Sequence, residues 1–516
     1  MRIGVDVGGT NTDAVLMDGD AVISSHKEPT SQNIRDGVVE AITSIMADGG
    51  ANPRDIRAVM IGTTQFTNAF VERRDLLPVG IVRLALPATS ALPPMIDWPE
   101  DIAAALGGNV YMIKGGYEFD ARPISPLDEN AIAEAARDMR TKGIRAVAIC
   151  SVFSPVKADM EERAAQIVLS ELPDAAITLS SGIGKIGLLE RENAAIMNAS
   201  LTDLSVQVVS SFKDALQKLK ISAPFYISQN DGTLMSAKHV EKYPVLTFSS
   251  GPTNSMRGAA YLSKLKDAIV ADIGGTTTDI GMLVKGFPRE SSITVDIGGI
   301  RTNFRMPDVI ALGLGGGSLV FESESVEIGP KSVGYRLSKE ALVFGGDTLT
   351  TTDIAVAAGY ATNIGEPERL ARLSPELIRS GVEKIHSIIT DGVDRIKTSA
   401  EPMPLILVGG GSVLINHDIA GCSEVILPEH ADVANAIGAS IAQVGAEIDK
   451  VYSYEAMGRD NAIADIRQKA IAAAGDAGAK EDTVEVIDFE EIPLSYVPGN
   501  AVRLRVKTAG DLNYVE

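Results

Sequence analysis

The chain has 516 residues, 45% of them hydrophobic and 22% charged, a composition typical of a globular protein with room for two or three domains. Its formal net charge of −21 makes nucleic acid and anionic membrane surfaces poor partners. No apolar run reaches the roughly 20 residues that span a bilayer, and only Cys150 and Cys422 are present, so we expect a cytoplasmic protein without a disulfide framework.

The first predicted element is a hairpin with an acidic, glycine-rich turn. Residues 3–15 read I-G-V-D-V-G-G-T-N-T-D-A-V, a buried strand that reaches Asp6, turns, and continues as a second strand. Gly8 and Gly9 expose backbone N–H groups, and the hydroxyls of Thr10 and Thr12 add donors, a combination that suits a polyphosphate. A single copy of this pattern fits a tight structural hairpin equally well.

Helices and buried strands alternate through the next segments and predict an α/β domain over residues 1–180. Helical spacing over 37–47 and 130–142 flanks predicted strands at 58–62 and 146–153, while the proline-rich stretch 78–98 is expected to be loop-rich. A long helix is predicted over 188–219, with Glu190 to Asn193 on a solvated face. A Ser-Ser-Gly-Pro turn at 249–252 then opens a helix, either as a capped start or as a phosphate or substrate site.

The hairpin motif occurs a second time, at residues 269–281, as I-V-A-D-I-G-G-T-T-T-D-I-G. Two such loops facing each other can grip one nucleotide from both sides. Because a carboxylate repels phosphate, the Asp of each copy is best explained as a ligand, direct or through water, of a magnesium ion, which predicts Mg-ATP. The second copy aligns Asp272 with Asp6, Asp279 with Asp13, and four predicted phosphate-binding residues with those of the first: Gly274, Gly275, Thr276 and Thr278.

Three features follow the second hairpin. The glycine-rich turn at 313–318 suggests a close approach to a ligand, and Thr350 to Asp353 is predicted to cap a helix. Small residues Ala434, Gly438 and Ala442 on a helix predicted over 432–446 should permit close helix packing. A second domain is therefore predicted over 181–450, followed by a small C-terminal α/β appendage over 451–516.

The paired loops, together with the strand and turn over 405–412, are similar to those of the actin, heat-shock chaperone and sugar-kinase superfamily. This resemblance implies an α/β fold with two actin-like (ribonuclease H-like) ATPase domains around a nucleotide cleft. It further implies that a late glycine turn contacts adenosine, here Gly409, Gly410 and Gly411.

Motifs spread over most of the chain resemble the hydantoinase A/oxoprolinase family, which includes ATP-dependent hydantoinases and 5-oxoprolinase. They are G-V-D-V-G-G-T-N-T-D at 4–13, G-T-T-Q-F-T-N-A-F-V-E-R at 62–73, E-R-E-N-A-A-I-M-N-A-S-L at 190–201, S-S-G-P-T at 249–253, D-I-G-G-T-T-T-D at 272–279, G-L-G-G-G-S at 313–318 and V-G-G-G-S at 408–412. The chain departs from the family pattern at S-G-P-T-N and at E-A-L-V-F-G-G-D, which leaves the substrate open.

The family resemblance implies an ATP-dependent hydrolase that phosphorylates the carbonyl oxygen of a hydantoin- or lactam-like cyclic amide or imide, with Asp6 and Asp272 as catalytic and magnesium-binding residues. It also implies a second hydantoinase-type subunit as partner, and leaves a homo-oligomer open. The five histidines are scattered, and no zinc-protease or nucleophile-elbow motif is present. A small-molecule kinase and a non-catalytic ATP-switched binding protein remain as alternatives.

Overall fold

The computed structural model describes residues 1–9, 11–30, 34–183, 186–291, 295–303, 306–322, 325–495 and 497–513. The strands in these ranges, in chain order, are β1 Arg2–Val7, β2 Asn11–Asp18, β3 Ala21–Pro29, β4 Ala58–Thr63, β5 Val79–Leu86, β6 Asn109–Lys114, β7 Ala146–Ser151, β8 Ala176–Leu179, β9 Phe225–Ser228, β10 Thr233–Ser236, β11 Ala268–Ile273, β12 Thr278–Val284, β13 Phe287–Pro288, β14 Val295–Ile297, β15 Ile300–Thr302, β16 Val309–Leu312, β17 Ser318–Glu322, β18 Val326–Ser332, β19 Met403–Val408, β20 Cys422–Ile426, β21 Gln443–Ser453, β22 Glu485–Pro493 and β23 Ala501–Gly510.

The α-helices of the same ranges pack against these strands. They are α1 Ile34–Asp48, α2 Gln65–Val71, α3 Glu100–Ala105, α4 Glu129–Thr141, α5 Asp159–Glu171, α6 Leu188–Ser200, α7 Thr202–Lys218, α8 Ala237–Lys242, α9 Ser250–Ser263, α10 Leu337–Glu340, α11 Thr351–Ala357, α12 Pro375–Ile396, α13 Ala434–Ser440, α14 Tyr454–Met457 and α15 Arg459–Asp476. Within the described part of the chain, no helix is long and apolar enough to cross a membrane.

Three sheets organise the molecule, which confirms the α/β class. The first lobe is built on nine strands in the order β22-β23-β21-β10-β9-β4-β1-β2-β3. The second lobe is built on β13-β12-β11-β19-β20, with β16 also paired to β12. An inserted domain over residues 79–179 carries the parallel sheet β6-β5-β7-β8. Each lobe therefore carries its own hairpin within its own sheet, β1-β2 in the first lobe and β11-β12 in the second.

The sheets connect segments on both sides of the predicted domain boundaries, which stay a prediction. Residues 1–180 contain two separate sheets, and the first of them also takes β9 and β10 from beyond residue 180. The C-terminal segment contains both helices and strands, and its strands β22 and β23 extend the first-lobe sheet through β21. Pairing between strands that lie hundreds of residues apart leaves no local signal in the sequence.

The segment predicted as one helix over 188–219 forms two helices, α6 and α7. Two charged residues at the start of α6 are buried instead of exposed to solvent. Arg191 and Glu192 are fully buried. Glu192 accepts two hydrogen bonds from the buried Arg83 of β5, and Arg191 donates to the carbonyl oxygen of Ser151 at 2.6 Å. The prediction of a solvated face was therefore wrong for these two residues, which fasten α6 to the inserted domain.

A buried ionic cluster joins the two lobes on the side of the C-terminal strands. Arg505 and Lys507 of β23 are almost fully buried, and Glu290 of the second lobe accepts from both, at 2.8 Å and 2.7 Å. Burial raises the pKa of Glu290, but the charges of Lys507 and Arg505 outweigh burial and hold that pKa at about 2. Asp231 also pairs with Lys507. Three further carboxylates pair with Arg505: Glu447, Asp488 and Glu490.

We expect Glu290→Gln to lower the free energy of unfolding by roughly 3–5 kcal/mol at neutral pH, because it leaves two buried cations short of a partner. The folded-state pKa is depressed below its ordinary value of 4.5, so this contribution is present above that pH and is lost as the pH falls toward about 2. Urea unfolding of both proteins across that range should show the difference shrinking in acid. The exposed Glu485→Gln is the matched control, and the same pH profile for both variants would contradict the assignment.

Candidate active site

The two hairpins have the same register and the same turn. In the first lobe Asp6 of β1 lies opposite Asp13 of β2, and in the second lobe Asp272 of β11 lies opposite Asp279 of β12. The Gly8 amide donates to Asn11 at 3.0 Å, and in the second lobe the amide of Gly274 donates to Thr277 at 2.9 Å. The duplication visible in the sequence is thus a duplication of backbone geometry.

A glycine on the neighbouring parallel strand makes room for each aspartate. A Cβ atom added at Gly62, beside β1, would lie 2.0 Å from Oδ1 of Asp6. One added at Gly409, after β19, would lie 2.4 Å from Oδ1 of Asp272. Any larger residue at either position would displace the carboxylate, so both glycines serve the site by close approach.

Two helices, α9 and α13, cross between the lobes at glycine contacts. A Cβ added at Gly258 would lie 1.9 Å from the carbonyl oxygen of Ala434, and one added at Gly438 would lie 1.8 Å from that of Asn254. The close packing expected for the small face of α13 is confirmed, although α13 ends at Ser440 because the chain enters β21 at Gln443. The crossing brings the N-terminal halves of both helices to the aspartates.

The N-terminal halves of α9 and α13 hold the carboxylates with neutral side chains. Asn254 donates to Oδ1 of Asp6 at 3.2 Å, and Asn435 donates to Oδ2 of Asp6 at 3.1 Å and to Asp13 at 2.6 Å. Ser255 donates a side-chain hydrogen bond to Asp272. Sequence reasoning missed all three, because polar residues at a helix start carry no signal of what they will face.

Lys27 of β3 is the only basic side chain among the described residues that line the cleft. Its Nζ lies 2.8 Å from Oδ1 of Asp13 and donates to the carbonyl oxygen of Asp432 at 3.0 Å. Asp13 therefore anchors a cation that faces the cleft. This contact could not be predicted from the sequence.

Negative charge exceeds positive charge around the two loops. Burial, and then the charge of Asp13, raises the pKa of Asp6 to about 6, and burial also raises the pKa of Asp272. Burial, and then Asp272, raises the pKa of Asp279 to about 7. Such a cluster gains stability from a divalent cation.

The donor set fits a partly hydrated magnesium ion. Oδ1 of the fully buried Asn254 has no hydrogen-bond partner among the described residues, and it is an oxygen acceptor beside Asp6. In the same ranges no group of three acidic, histidine or cysteine side chains forms a complete metal cage. Magnesium typically takes one or two carboxylates and completes its shell with water and phosphate oxygens, as this arrangement would allow.

A cleft of about 460 Å³ runs between the two loops, a size typical of a small-molecule site. A Cβ added at Gly9 would meet nothing closer than 3.6 Å, and one added at Gly275 would meet no atom within 4 Å. Packing does not require glycine at these two positions, so the space that they leave is available to a ligand. Four apolar side chains, which the sequence did not reveal, line the other end of the cleft near the glycine turn: Leu337, Phe344, Ile364 and Val413.

Most of the predicted site residues line this cleft: Gly8, Gly9, Asp272, Gly274, Gly275, Thr276, Gly409, Gly410 and Gly411. Asp6 lies behind the first loop and is 5% exposed. Thr12 and Thr278 are buried, and the hydroxyl of Thr278 donates to Leu314 at 2.7 Å, so in this structure their side chains support the loops rather than face the cleft. Thr10 lies outside the described residues, and its role stays a prediction.

The glycine-rich turn over 313–318 lies against the second loop. Gly316 and Gly317 donate to the carbonyl oxygens of Gly274 and Gly275 at 3.0 Å and 2.7 Å, and a Cβ at Gly315 would lie 2.6 Å from the amide nitrogen of Thr276. The close approach expected from the glycines is therefore chiefly to the loop backbone. Thr350 and Asp353 form the predicted helix cap beside this turn, as a reciprocal capping box.

Comparison with known proteins identifies relatives over most of the chain. The model of the hydantoinase/oxoprolinase N-terminal region matches residues 2–172, and the hydantoinase/oxoprolinase model matches residues 191–403. The chain is 26% identical over 502 residues to the caprolactamase subunit alpha of Pseudomonas jessenii, covering 86% of this chain and 70% of that protein. It is 24% identical over 440 residues to the acetone carboxylase beta subunit of Xanthobacter autotrophicus, covering 78% and 58%.

Two solved structures share the fold. The ATP-dependent caprolactamase of Pseudomonas jessenii superimposes with a TM-score of 0.79 at 20% identity, covering 99% of this chain and 88% of that one. Nucleotide-free acetone carboxylase superimposes with a TM-score of 0.70 at 17% identity, covering 100% and 88%. The arrangement of two lobes around the cleft is therefore common to these proteins.

Proposed function

The chain belongs to the hydantoinase/oxoprolinase family, and on this premise we propose that it uses ATP to activate a cyclic amide or imide and hydrolyse its C–N bond. The observation that carries the proposal is the pair of phosphate loops, in identical register, that face one cleft with an aspartate behind or beside each loop. Hydrolysis of an unstrained amide needs such activation, because the amide carbonyl is a poor electrophile.

The lining of the cleft suggests how ATP would be oriented in it. The adenine ring would lie against the apolar side chains of Leu337, Phe344, Ile364 and Val413, next to Gly410 and Gly411. The polyphosphate would then reach the open backbone at Gly9 and Gly275, where N–H groups can donate to its oxygens. Magnesium bound near Asp6 and Asp272 would neutralise the phosphates and orient the γ-phosphoryl group.

The proposed reaction balances with ATP and water alone. The carbonyl oxygen of the amide attacks the γ-phosphorus, the bond from phosphorus to the β,γ-bridging oxygen breaks, and ADP leaves. One water adds to the activated carbon, and the C–N bond breaks with proton transfer to nitrogen, which leaves an acyl phosphate. A second water adds to the acyl carbon, and the C–O bond breaks so that phosphate leaves with the former carbonyl oxygen and the carboxylate keeps the two water oxygens. Asn254 and Asn435 hold Asp6 in place for this chemistry, and Lys27 holds Asp13.

A second subunit of hydantoinase type is part of the proposal. Relatives of this chain are named as the alpha, gamma and beta subunits of caprolactamase, acetophenone carboxylase and acetone carboxylase. A partner chain could supply groups for the hydrolytic step, for which no general base stands out among the cleft residues. Both cysteines are free thiols, which agrees with the proposed cytoplasmic location.

ADP release from Mg-ATP, measured across a panel of hydantoins, lactams and cyclic imides, tests the function. We expect one ring class to stimulate release by the purified chain, or by the chain together with its partner subunit. If no ring compound raises ATP turnover with the partner present, the hypothesis of cyclic-amide activation is wrong. A stable phosphorylated product would then favour a small-molecule kinase, and nucleotide-dependent closure without turnover would favour a switch protein.

Phe344→Ala should raise the KM for ATP about five- to tenfold with little change in kcat, because the ring forms part of the adenine wall and lies far from the reacting phosphorus. Phe344 is 36% exposed, so the fold should tolerate its truncation. Steady-state kinetics at saturating ring substrate measure the effect. Phe321→Ala, an exposed ring on β17 outside the cleft, is the matched control. Equal KM values for the two variants would contradict the placement of adenine.

A further inference from the structure

The two lobes are related by a pseudo-twofold axis that can be followed residue by residue through the crossing helices. The Gly258 contact with Ala434 and the Gly438 contact with Asn254 are reciprocal, so Asn254 corresponds to Ala434 and Gly258 to Gly438. Counting back three and two residues from Asn254 and from Ala434 pairs Gly251 with Ala431 and Pro252 with Asp432. Ala431 and Asp432 both line the nucleotide cleft.

The strands next to the two hairpins obey the same relation. Gly62 and Gly409 each make room for the aspartate of their lobe. Two residues later, the Thr64 amide donates to the carbonyl oxygen of Val7 at 3.3 Å, and the amide of Gly411 donates to that of Ile273 at 2.7 Å. Thr64 therefore occupies, in the first lobe, the position that Gly411 occupies beside the proposed adenosine.

This symmetry defines a corner in the first lobe, the acceptor corner, formed by the end of β4, the first turn of α2 and the start of α9. A Cβ added at Gly251 would lie 3.6 Å from Cγ2 of Thr64, and one added at Gly9 would lie 3.6 Å from Nδ2 of Asn68. Asn68 donates to the hydroxyl of Thr64 at 3.3 Å. The acceptor corner thus borders the first phosphate loop directly. Its members, all partly exposed, are Thr64, Gln65, Asn68, Ser249 and Gly251.

We infer that the ring substrate binds in the acceptor corner, across the phosphate loops from adenosine. The second-lobe corner receives one end of the nucleotide, so the first-lobe corner is the equivalent surface at the other end of the polyphosphate, where a phosphoryl acceptor must lie. An acceptor there has its oxygen next to the γ-phosphate. The inference rests on the proposed function for its chemistry and on the pseudo-twofold geometry for its place.

The residues of the corner also specify a class of ring. Thr64, Gln65, Asn68 and Ser249 offer hydroxyl and carboxamide groups, which complement the N–H donor and C=O acceptor of a cyclic amide. These five residues carry no charge, whereas a ring that bears a carboxylate would need a cation to offset its desolvation. The two arginines that follow α2 form ion pairs with other residues, Arg73 with Asp101 and Arg74 with Glu72. The site therefore selects uncharged lactams or imides over carboxylate-bearing ones.

A matched pair of ligands tests the inference by calorimetric titration of the full chain in the presence of Mg²⁺ and a non-hydrolysable ATP analogue. The probes are 2-pyrrolidinone and 5-oxoproline, which share a ring and differ by a carboxylate. We expect 2-pyrrolidinone to bind at least about tenfold more tightly, and Thr64→Val or Asn68→Leu to weaken its binding about tenfold while the affinity for the ATP analogue changes less than about twofold. Thr64→Ser, which keeps the hydroxyl, should restore ring binding. Phe344→Ala should give the reverse pattern.

The outcomes separate this inference from the proposed function. Tighter binding of 5-oxoproline, or ring binding that neither Thr64→Val nor Asn68→Leu weakens, overturns the acceptor corner even if ring compounds stimulate ATP turnover. Ring binding that depends on Thr64 and Asn68, but without stimulated turnover in the presence of the partner subunit, supports the corner and overturns only the proposed reaction. Loss of ATP-analogue affinity in Thr64→Val would place this residue in the nucleotide site and also overturn the inference.

Discussion

Asp272→Asn is expected to lower ring-stimulated ATP turnover by about 10²–10³-fold, a loss typical of removing one preorganised electrostatic group from an active site. Asparagine keeps the shape of the side chain and its contact with Ser255, but it removes the charge that would hold magnesium against the γ-phosphate. Asp6→Asn should act in the same direction from the other lobe. Initial rates of ADP release at saturating Mg-ATP measure both losses.

The matched control is Asp48→Asn, an exposed carboxylate at the end of α1 that should leave the rate unchanged. Thermal unfolding of the Asp272 variant should stay near that of the unaltered protein, or rise, because burial already disfavours the charged form of this residue. A rate within about threefold of the unaltered protein would contradict any role of Asp272 in magnesium binding or catalysis.

Gly275→Val is expected to weaken ATP binding at least about 100-fold with almost no change in stability. A side chain at this position would meet no protein atom within 4 Å of its Cβ, so it fits the folded chain but enters the space reserved for phosphate. Equilibrium binding of a fluorescent ATP analogue and thermal unfolding, measured on the same preparation, distinguish the two effects. Unimpaired ATP binding would show that the second loop does not contact the nucleotide.

Gly438→Ala is the matched glycine control, and here we expect the substitution to lower the stability of the fold. Its new methyl group would lie 1.8 Å from the Asn254 carbonyl oxygen, so the crossing of α9 and α13 must open. We expect a loss of roughly 2–4 kcal/mol in unfolding free energy from this overpacking. Chemical denaturation measures it. A variant as stable as Gly275→Val would show that the helix crossing can relax at little cost.

The sequence was sufficient to predict the two hairpins and the cleft between them, because both depend on local chemistry that is repeated in full. An apolar strand, an aspartate and paired glycines allow few backbone conformations, and the second copy repeats the same pattern at the same spacing. The family assignment followed from the same residues and is confirmed by the family models. Helix capping at Thr350 and Asp353 was likewise predictable from adjacent residues alone.

Features that depend on distant contacts could not be predicted. Asn254 and Asn435 converge on Asp6 only because α9 and α13 cross, and Lys27 enters the cleft only because β3 continues the sheet of the first hairpin. The charges of Arg191 and Glu192 suggested solvent, yet both are buried with partners that are far away along the chain or in other elements. The C-terminal strands join the first sheet for the same reason, since strand pairing between remote segments leaves no periodic signal.

The fate of the carbonyl oxygen tests the central claim most directly. A ring substrate labelled with oxygen-18 at the carbonyl should be turned over with Mg-ATP in unlabelled water, with the partner subunit present, and the released phosphate analysed by mass spectrometry. Phosphorylation of the carbonyl oxygen followed by C–O cleavage predicts one labelled oxygen in each phosphate released during ring opening. Unlabelled phosphate, with the whole label retained in the ring-opened carboxylate, would contradict the account.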